Sequence, residues 1–247
     1  MNLYDLMNKK SNSTIDLLLK ISNFSTIRFL FIFLILPFFL SAESIAELNK
    51  KGILALQKKD YKKAEEIFKK SLSISPNDAK ANYNLACTYA LMEEQCEPSE
   101  NGNPLTLLEK AVLGDVYYKT KMLKDSDLKS LRNNIKFYKL AGLTKKQILT
   151  KIIWYGPKPG VANIDKMVFT DSGKFYYSVF NSSGEGNPGY TEYNGRYVWI
   201  KEDIQIQFDE SPFDSKKKIF NVKLKENSIQ IEGFDHELSD FEDRCSA

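Results

Sequence analysis

Two periods of apolar spacing divide the chain. From Ser44 onward, Ile45, Leu48, Gly52, Ala55 and Leu56, and then Ala64, Ile67, Phe68, Ser71 and Leu72, recur at three- and four-residue intervals. That spacing lays apolar and small residues along one face of a helix, and it predicts two helices broken at Lys58 to Tyr61, with Asp60 as the cap of the second. Pro76-Asn77-Asp78 ends that helix and starts another, and Ala81 to Met92 repeats the pattern of the first. Beyond Lys151 the period changes to two. Ile152–Gly156, Lys166–Thr170, Lys174–Phe180, Gly195–Ile200, Asp203–Phe208, Lys218–Leu224 and Ser228–Phe234 alternate as short strands, punctuated by Asp171-Ser172-Gly173, Lys201-Glu202 and Lys225-Glu226-Asn227. The fold class that follows is α+β, an all-α repeat followed by an antiparallel β-meander or small barrel, because short strands hide their edges by closure or covering.

A third pattern precedes both. Phe29 to Leu40 is an unbroken apolar run of about 12 residues, with Arg28 before it and Ser41-Ala42-Glu43 after it. A membrane span needs about 20 apolar residues, so the run reads as a secretory signal cleaved after Ala42 or, if uncleaved, as an N-terminal anchor, the one route to a membrane. The expected location is the periplasm or cell envelope. The expected organisation is residues 1–42 as signal or anchor, 43–141 as the helical repeat with its closing helix, 142–150 as a linker, 151–234 as the β domain and 235–247 as an acidic tail.

Charge changes the picture by exclusion. The first 42 residues hold four basic and two acidic side chains, which leaves 31 basic against 30 acidic of the 35 and 32 in the whole chain. A nearly neutral body lacks the field that holds a polyphosphate, so no nucleic-acid partner is expected. In an oxidising compartment Cys87 and Cys96 either pair as a disulfide or stay reduced, and Cys245 is left over.

The helical half resembles the tetratricopeptide repeat family. Leu48, Gly52, Ala55, Ala64, Phe68, Ser71 and Pro76 stand in the large, small and proline slots of one repeat, and Leu85, Ala86 and Tyr89 stand in those of the next. The second repeat departs from the family in its turn, because Glu93 to Pro104 is about six residues too long and reads as an inserted surface loop. Asp125, Asp127, Leu128, Leu131, Arg132 and Phe137 resemble the segment that closes such arrays by covering the last repeat's apolar edge. The resemblance spans roughly residues 45 to 141. It implies a protein or peptide partner held in the groove lined by the first helix of each repeat, at Asn49, Ile53, Leu56, Lys80, Tyr83, Asn84 and Cys87. Asn84 is the leading candidate, because an amide both donates to and accepts from a peptide backbone. Phe169 to Ser178, followed by Gly195 to Phe208, is similar to small lipocalin-like barrels, which implies a second reading: an apolar ligand in the β domain, with Trp154, Tyr176, Tyr190, Tyr197 and Trp199 lining a cavity or filling a core.

Catalytic machinery is not expected. The chain has one histidine, His236, and no nucleophile elbow, phosphate-binding glycine loop or paired metal-ligand motif. Neither catalytic residues, nor a metal, nor a cofactor are therefore assigned, and Asp125 with Asp127, or Asp240 with Glu242 and Asp243, read as capping and surface charge.

Overall fold

A computed structural model describes residues 43–94, 102–157, 165–181, 189–213 and 216–240. The apolar run Phe29 to Leu40, the expected cleavage point after Ala42, Cys96 and Cys245 lie outside the described residues. No helix among the described residues is long and apolar enough to cross a membrane. The chain divides into two compact units, 1–47 and 48–247. Of the first only residues 43–47 are described, and there Ser44 and Glu47 form a reciprocal cap, with Ser44 Oγ accepting from Glu47 N at 3.2 Å and the Glu47 carboxylate accepting from Ser44 N at 3.1 Å.

Helix α1 runs Ile45–Gln57, α2 Tyr61–Ile74, α3 Ala79–Glu94 and α4 Pro104–Gly114. Asp60 caps α2 by accepting from Lys63 N, as its position predicts, and Asn103 with Pro104 at the first helical position opens α4. Helices α1 and α2 meet where Gly52 faces Phe68. A Cβ at Gly52 would come within 2.5 Å of the Phe68 ring, so the crossing needs a glycine. Every residue of α3 from Ala81 to Ala90 is buried, and Asn84, at 8%, keeps the most exposure among them. Short elements follow: α5 (Tyr117–Met122), a 3-10 segment (Ser126–Asn133), α6 (Ile135–Leu140) and α7 (Lys145–Leu149), of which α5 and the 3-10 segment pack on α3. Leu128, Leu131 and Phe137 are buried, as a closing segment requires.

The β half is a closed antiparallel barrel whose eight strands pair in chain order: β1 Ile153–Tyr155, β2 Lys166–Phe169, β3 Lys174–Asn181, β4 Gly189–Ile200, β5 Asp203–Phe208, β6 Ile219–Leu224, β7 Ser228–Ile231 and β8 Glu237–Ser239. This is the up-and-down order of the barrels that the sequence resembles. Among the described residues of the barrel, three turn positions carry positive φ, Gly173 at 77°, Lys201 at 59° and Gly233 at 86°. The interior is filled with side chains: Trp154, Met167, Phe169, Phe175, Ile204, Ile206, Phe208, Phe220, Val222, Ile229, Ile231 and Leu238 are all buried. Perpendicular ring contacts such as Phe175 with Phe208 at 4.8 Å and Phe208 with Phe220 at 5.7 Å knit the filling. Trp154 is therefore core, whereas Tyr176 and Tyr190 are exposed and Tyr197 and Trp199 half-buried at the rim.

Three expectations are corrected. Residues 142–150 are not a bare linker but carry α7, because Thr144 and Gln147 form a capping box and Ile148 and Leu149 have a core to enter. Residues 235–240 are not tail: Glu237–Ser239 closes the barrel between β7 and β1, with Tyr155 opposite Ser239 and Leu238 buried. One apolar residue between two polar ones is too short an alternation to register as a strand. The helices and barrel also share one continuous apolar core running from Tyr83 to Leu238. Asn133 joins the two halves, donating to the carbonyls of Ile153 at 2.9 Å and Asp240 at 2.7 Å and accepting from Ile153 N at 2.6 Å. Asp240 in turn accepts from Ile135 N at 2.7 Å, and burial raises the pKa of its carboxyl above the ordinary value.

Candidate partner-binding face

The seven residues expected to line a groove lie on α1 and at the start and middle of α3, and they divide into groups. Tyr83 and Cys87 are covered by the chain itself. The Tyr83 ring stacks on Tyr118 at 4.4 Å, Lys121 Nζ stands 4.3 Å from its centroid, and its hydroxyl donates to Asp125 at 2.8 Å. Ser130 donates to the carbonyl of Ala90 at 2.9 Å, fastening the same segment one turn further along α3. These positions are therefore corrected from groove to interior, because α5 and the 3-10 segment stack where a further repeat would begin. Tyr118 was the sequence signal for this cover, since it buries its ring against Tyr83 while its neighbour Tyr117 stays exposed.

Cys87 is a free, buried thiol and not half of a disulfide. Its Sγ and the carboxylates of Asp125 and Asp127 lie within 4.8 Å of one another. Burial first, and then the two aspartates, push the thiol well above its ordinary range, so it is neutral at neutral pH and a poor nucleophile. Lys121 supplies the countercharge at 3.8 Å from Asp125. Asp125 also caps the 3-10 segment by accepting from Asp127 N at 3.2 Å. Locking the closing segment accounts for the whole group.

Asn49 is held on one side. Its Nδ2 donates to Asp78 at 3.0 Å, and the same Asp78 oxygen accepts from Ala81 N at 2.7 Å, capping α3. Asn82, which the sequence reading passed over, completes this knot by donating to the carbonyls of Pro76 and Asp78 at 3.1 and 2.9 Å. An asparagine in the first turn of a helix, four residues after the cap, was the available signal.

Asn84 differs from both. It is 8% exposed, its backbone carbonyl accepts from Thr88 Oγ1 at 2.8 Å, and its side-chain Nδ2 has no partner. Ile53 and Leu56 are half-buried beside the Phe68 and Tyr89 cluster, and Lys80 is exposed at the start of α3. The residues left for a partner are thus Asn84, Ile53, Leu56 and Lys80, with Oδ1 of Asn49 as an unmatched acceptor.

Residues 67–108 match the family model described as tetratricopeptide repeat. This part of the chain is similar to the tetratricopeptide repeat. The match begins within α2, takes in all of α3 and ends in α4, so the repeat's own second helix pair is the one that the closing segment covers. Comparison with curated proteins and with solved structures gave no match.

Elsewhere, His236 stands between two carboxylates, with Nδ1 2.6 Å from Asp235 and Nε2 3.6 Å from Asp165, which also accepts from the Tyr177 hydroxyl at 2.9 Å. No serine, threonine or cysteine is hydrogen-bonded to this histidine among the described residues, so the group braces the β7–β8 turn against the start of β2.

Proposed function

We propose that the protein is a non-enzymatic scaffold of the cell envelope whose repeats hold an extended segment of a partner polypeptide against α1 and α3. The observation that carries this reading is the buried Asn84 amide whose Nδ2 has no partner. A buried donor left unmatched costs about 1–3 kcal/mol, and because Nδ2 is itself covered, the carbonyl of a bound peptide removes that cost once the Asn84 side chain turns toward the exposed part of the residue. Ile53 and Leu56 on α1 offer half-buried apolar surface next to the Phe68 and Tyr89 cluster, and Lys80 offers a positive charge at the start of α3. Tetratricopeptide repeats are in general a protein-interaction module, which agrees with this chemistry. The apolar run at residues 29–40 supports export, with the mature chain beginning at Glu43.

The test is selection of peptides from a random display library on the purified protein, followed by affinity measurement against Asn84→Ala. The reading predicts selected peptides that bind the native protein and lose roughly tenfold or more in affinity on the substitution, as expected for about 1–3 kcal/mol. Peptides that bind both proteins equally would sink it. Intact-mass measurement of protein recovered from the envelope tests the location: a chain starting at Glu43 supports export, and a cytoplasmic full-length chain refutes it.

A further inference from the structure

The barrel interior is filled by buried side chains among the described residues, whereas its rim carries open space. A cavity of about 330 Å³ lies where α6 and α7 meet the β6–β7 turn, lined by Ile135, Ile148, Trp154 and Leu224 and edged by Lys139, Lys145 and Lys225. Three lysines around an apolar floor are an unusual lining, and their pairing is uneven. Lys225 pairs with Glu237, and Lys139 Nζ donates to the backbone carbonyl of Glu226 at 3.1 Å, latching the β6–β7 turn onto α6. Lys145 has no hydrogen bond or ion pair among the described residues, while its neighbour Lys146 is spent over the Trp199 ring at 5.4 Å. Counting Glu226 and Glu237 against the three lysines leaves a single uncompensated positive charge at the rim.

The geometry points to a binding site for a small monocarboxylate with an apolar body, its chain toward Ile148 and Leu224 and its carboxylate at Lys145 with Lys139. Ligand sites usually run from about 300 to 1,000 Å³, so this one takes a short molecule and not a long-chain lipid. One net charge matches a monoanion, and the apolar floor rejects a bare inorganic ion. The adjoining cavity, lined by Asn134, Lys136, Glu226, Asn227 and Asp240, does not compete: Lys136 pairs with Glu109 at 3.2 Å, and Asp240 already accepts from Ile135 N. The site shares no residue with the face around Asn84, so the two readings stand or fall separately.

Trp154 lines the cavity, and the chain has two tryptophans, which supplies the readout. In full-length Trp199→Phe protein Trp154 is the sole indole, and its emission is followed while sodium octanoate or 1-octanol is added. The expected result is a saturable change with octanoate, binding at least about fivefold weaker for octanol, and a Kd for octanoate raised about five- to tenfold by Lys145→Ala, the size expected for one partly exposed charge-assisted contact. A flat octanoate titration overturns the site. Equal affinity for the alcohol, or an octanoate affinity unmoved by Lys145→Ala, overturns the carboxylate assignment.

Discussion

The helical half and the barrel bury their interiors in opposite ways. Asn49, Ser71, Asn82, Asn84 and Thr88 are buried polar side chains, and all of them lie on α1, α2 and α3, whereas the buried side chains of the barrel are apolar or aromatic among the described residues. The helices also leave Oδ1 of Asn49 and Asn82, Oγ of Ser71 and Nδ2 of Asn84 without partners. A polar group buried without a partner costs stability, and in the barrel half, among the described residues, that cost is confined to His236 Nε2, 3.6 Å from Asp165. The difference separates the two ends of the shared core: the barrel end is filled almost wholly by apolar and aromatic side chains, and the repeat end keeps most of the unmatched polar groups, of which, on α1, α2 and α3, Asn84 has the most exposure at 8%.

Substitutions that break this comparison have the largest expected effects. Trp154→Ala should cost about 3–5 kcal/mol, and because the core runs unbroken from Tyr83 to Leu238, helices and barrel should melt in one transition followed by far-ultraviolet circular dichroism. A surviving helical plateau would show two independent domains instead. Gly52→Leu should cost about 1–3 kcal/mol by forcing side-chain atoms into the Phe68 ring, and chemical denaturation would measure it. Smaller is the alkaline effect. Burial raises Cys87, Tyr83, Tyr89 and Tyr177 above their ordinary values, so at high pH these groups ionise first in the unfolded chain. Their contribution is complete well below the ordinary thiol and phenol range near 8.5 to 10, begins to be lost as pH enters that range, and goes on falling toward the raised values of the folded chain. Thermal melts should therefore fall in Tm above about pH 9, and Cys87→Ala should soften that fall at its lower edge; an unchanged alkaline profile would remove Cys87 from the account.

What the sequence made legible follows from how strongly each pattern over-determines itself. The helix boundaries around Asp60 and Asp78 and the register through Gly52, Phe68 and Tyr89 were readable because capping, period and residue size agreed there. The strands were readable from alternation, except for Glu237–Ser239, where three residues carry almost no period. Residues 142–150 were misread because Ile148 and Leu149 are too few to show a helical stripe, although Thr144 and Gln147 spelled a capping box. At the site, spacing told which residues share a helix face but not which faces another segment covers. Tyr83 and Cys87 were lost to the closing segment for that reason, since contacts across 42 residues, such as Tyr83 with Asp125, leave no local mark. Asn49 was read as a partner contact when its amide ties down a turn 29 residues away.

Asn84→Leu puts the central claim to the most direct trial, with Tm and affinity for a selected peptide measured on the same full-length protein. If the unmatched amide is kept for a partner, replacing it by an apolar side chain of similar size should raise Tm by roughly 2–4 °C, equivalent to about 1 kcal/mol in a chain of this length, while peptide binding is lost. A fall in Tm, or binding that survives the substitution, would show that the amide serves the fold and that recognition lies elsewhere.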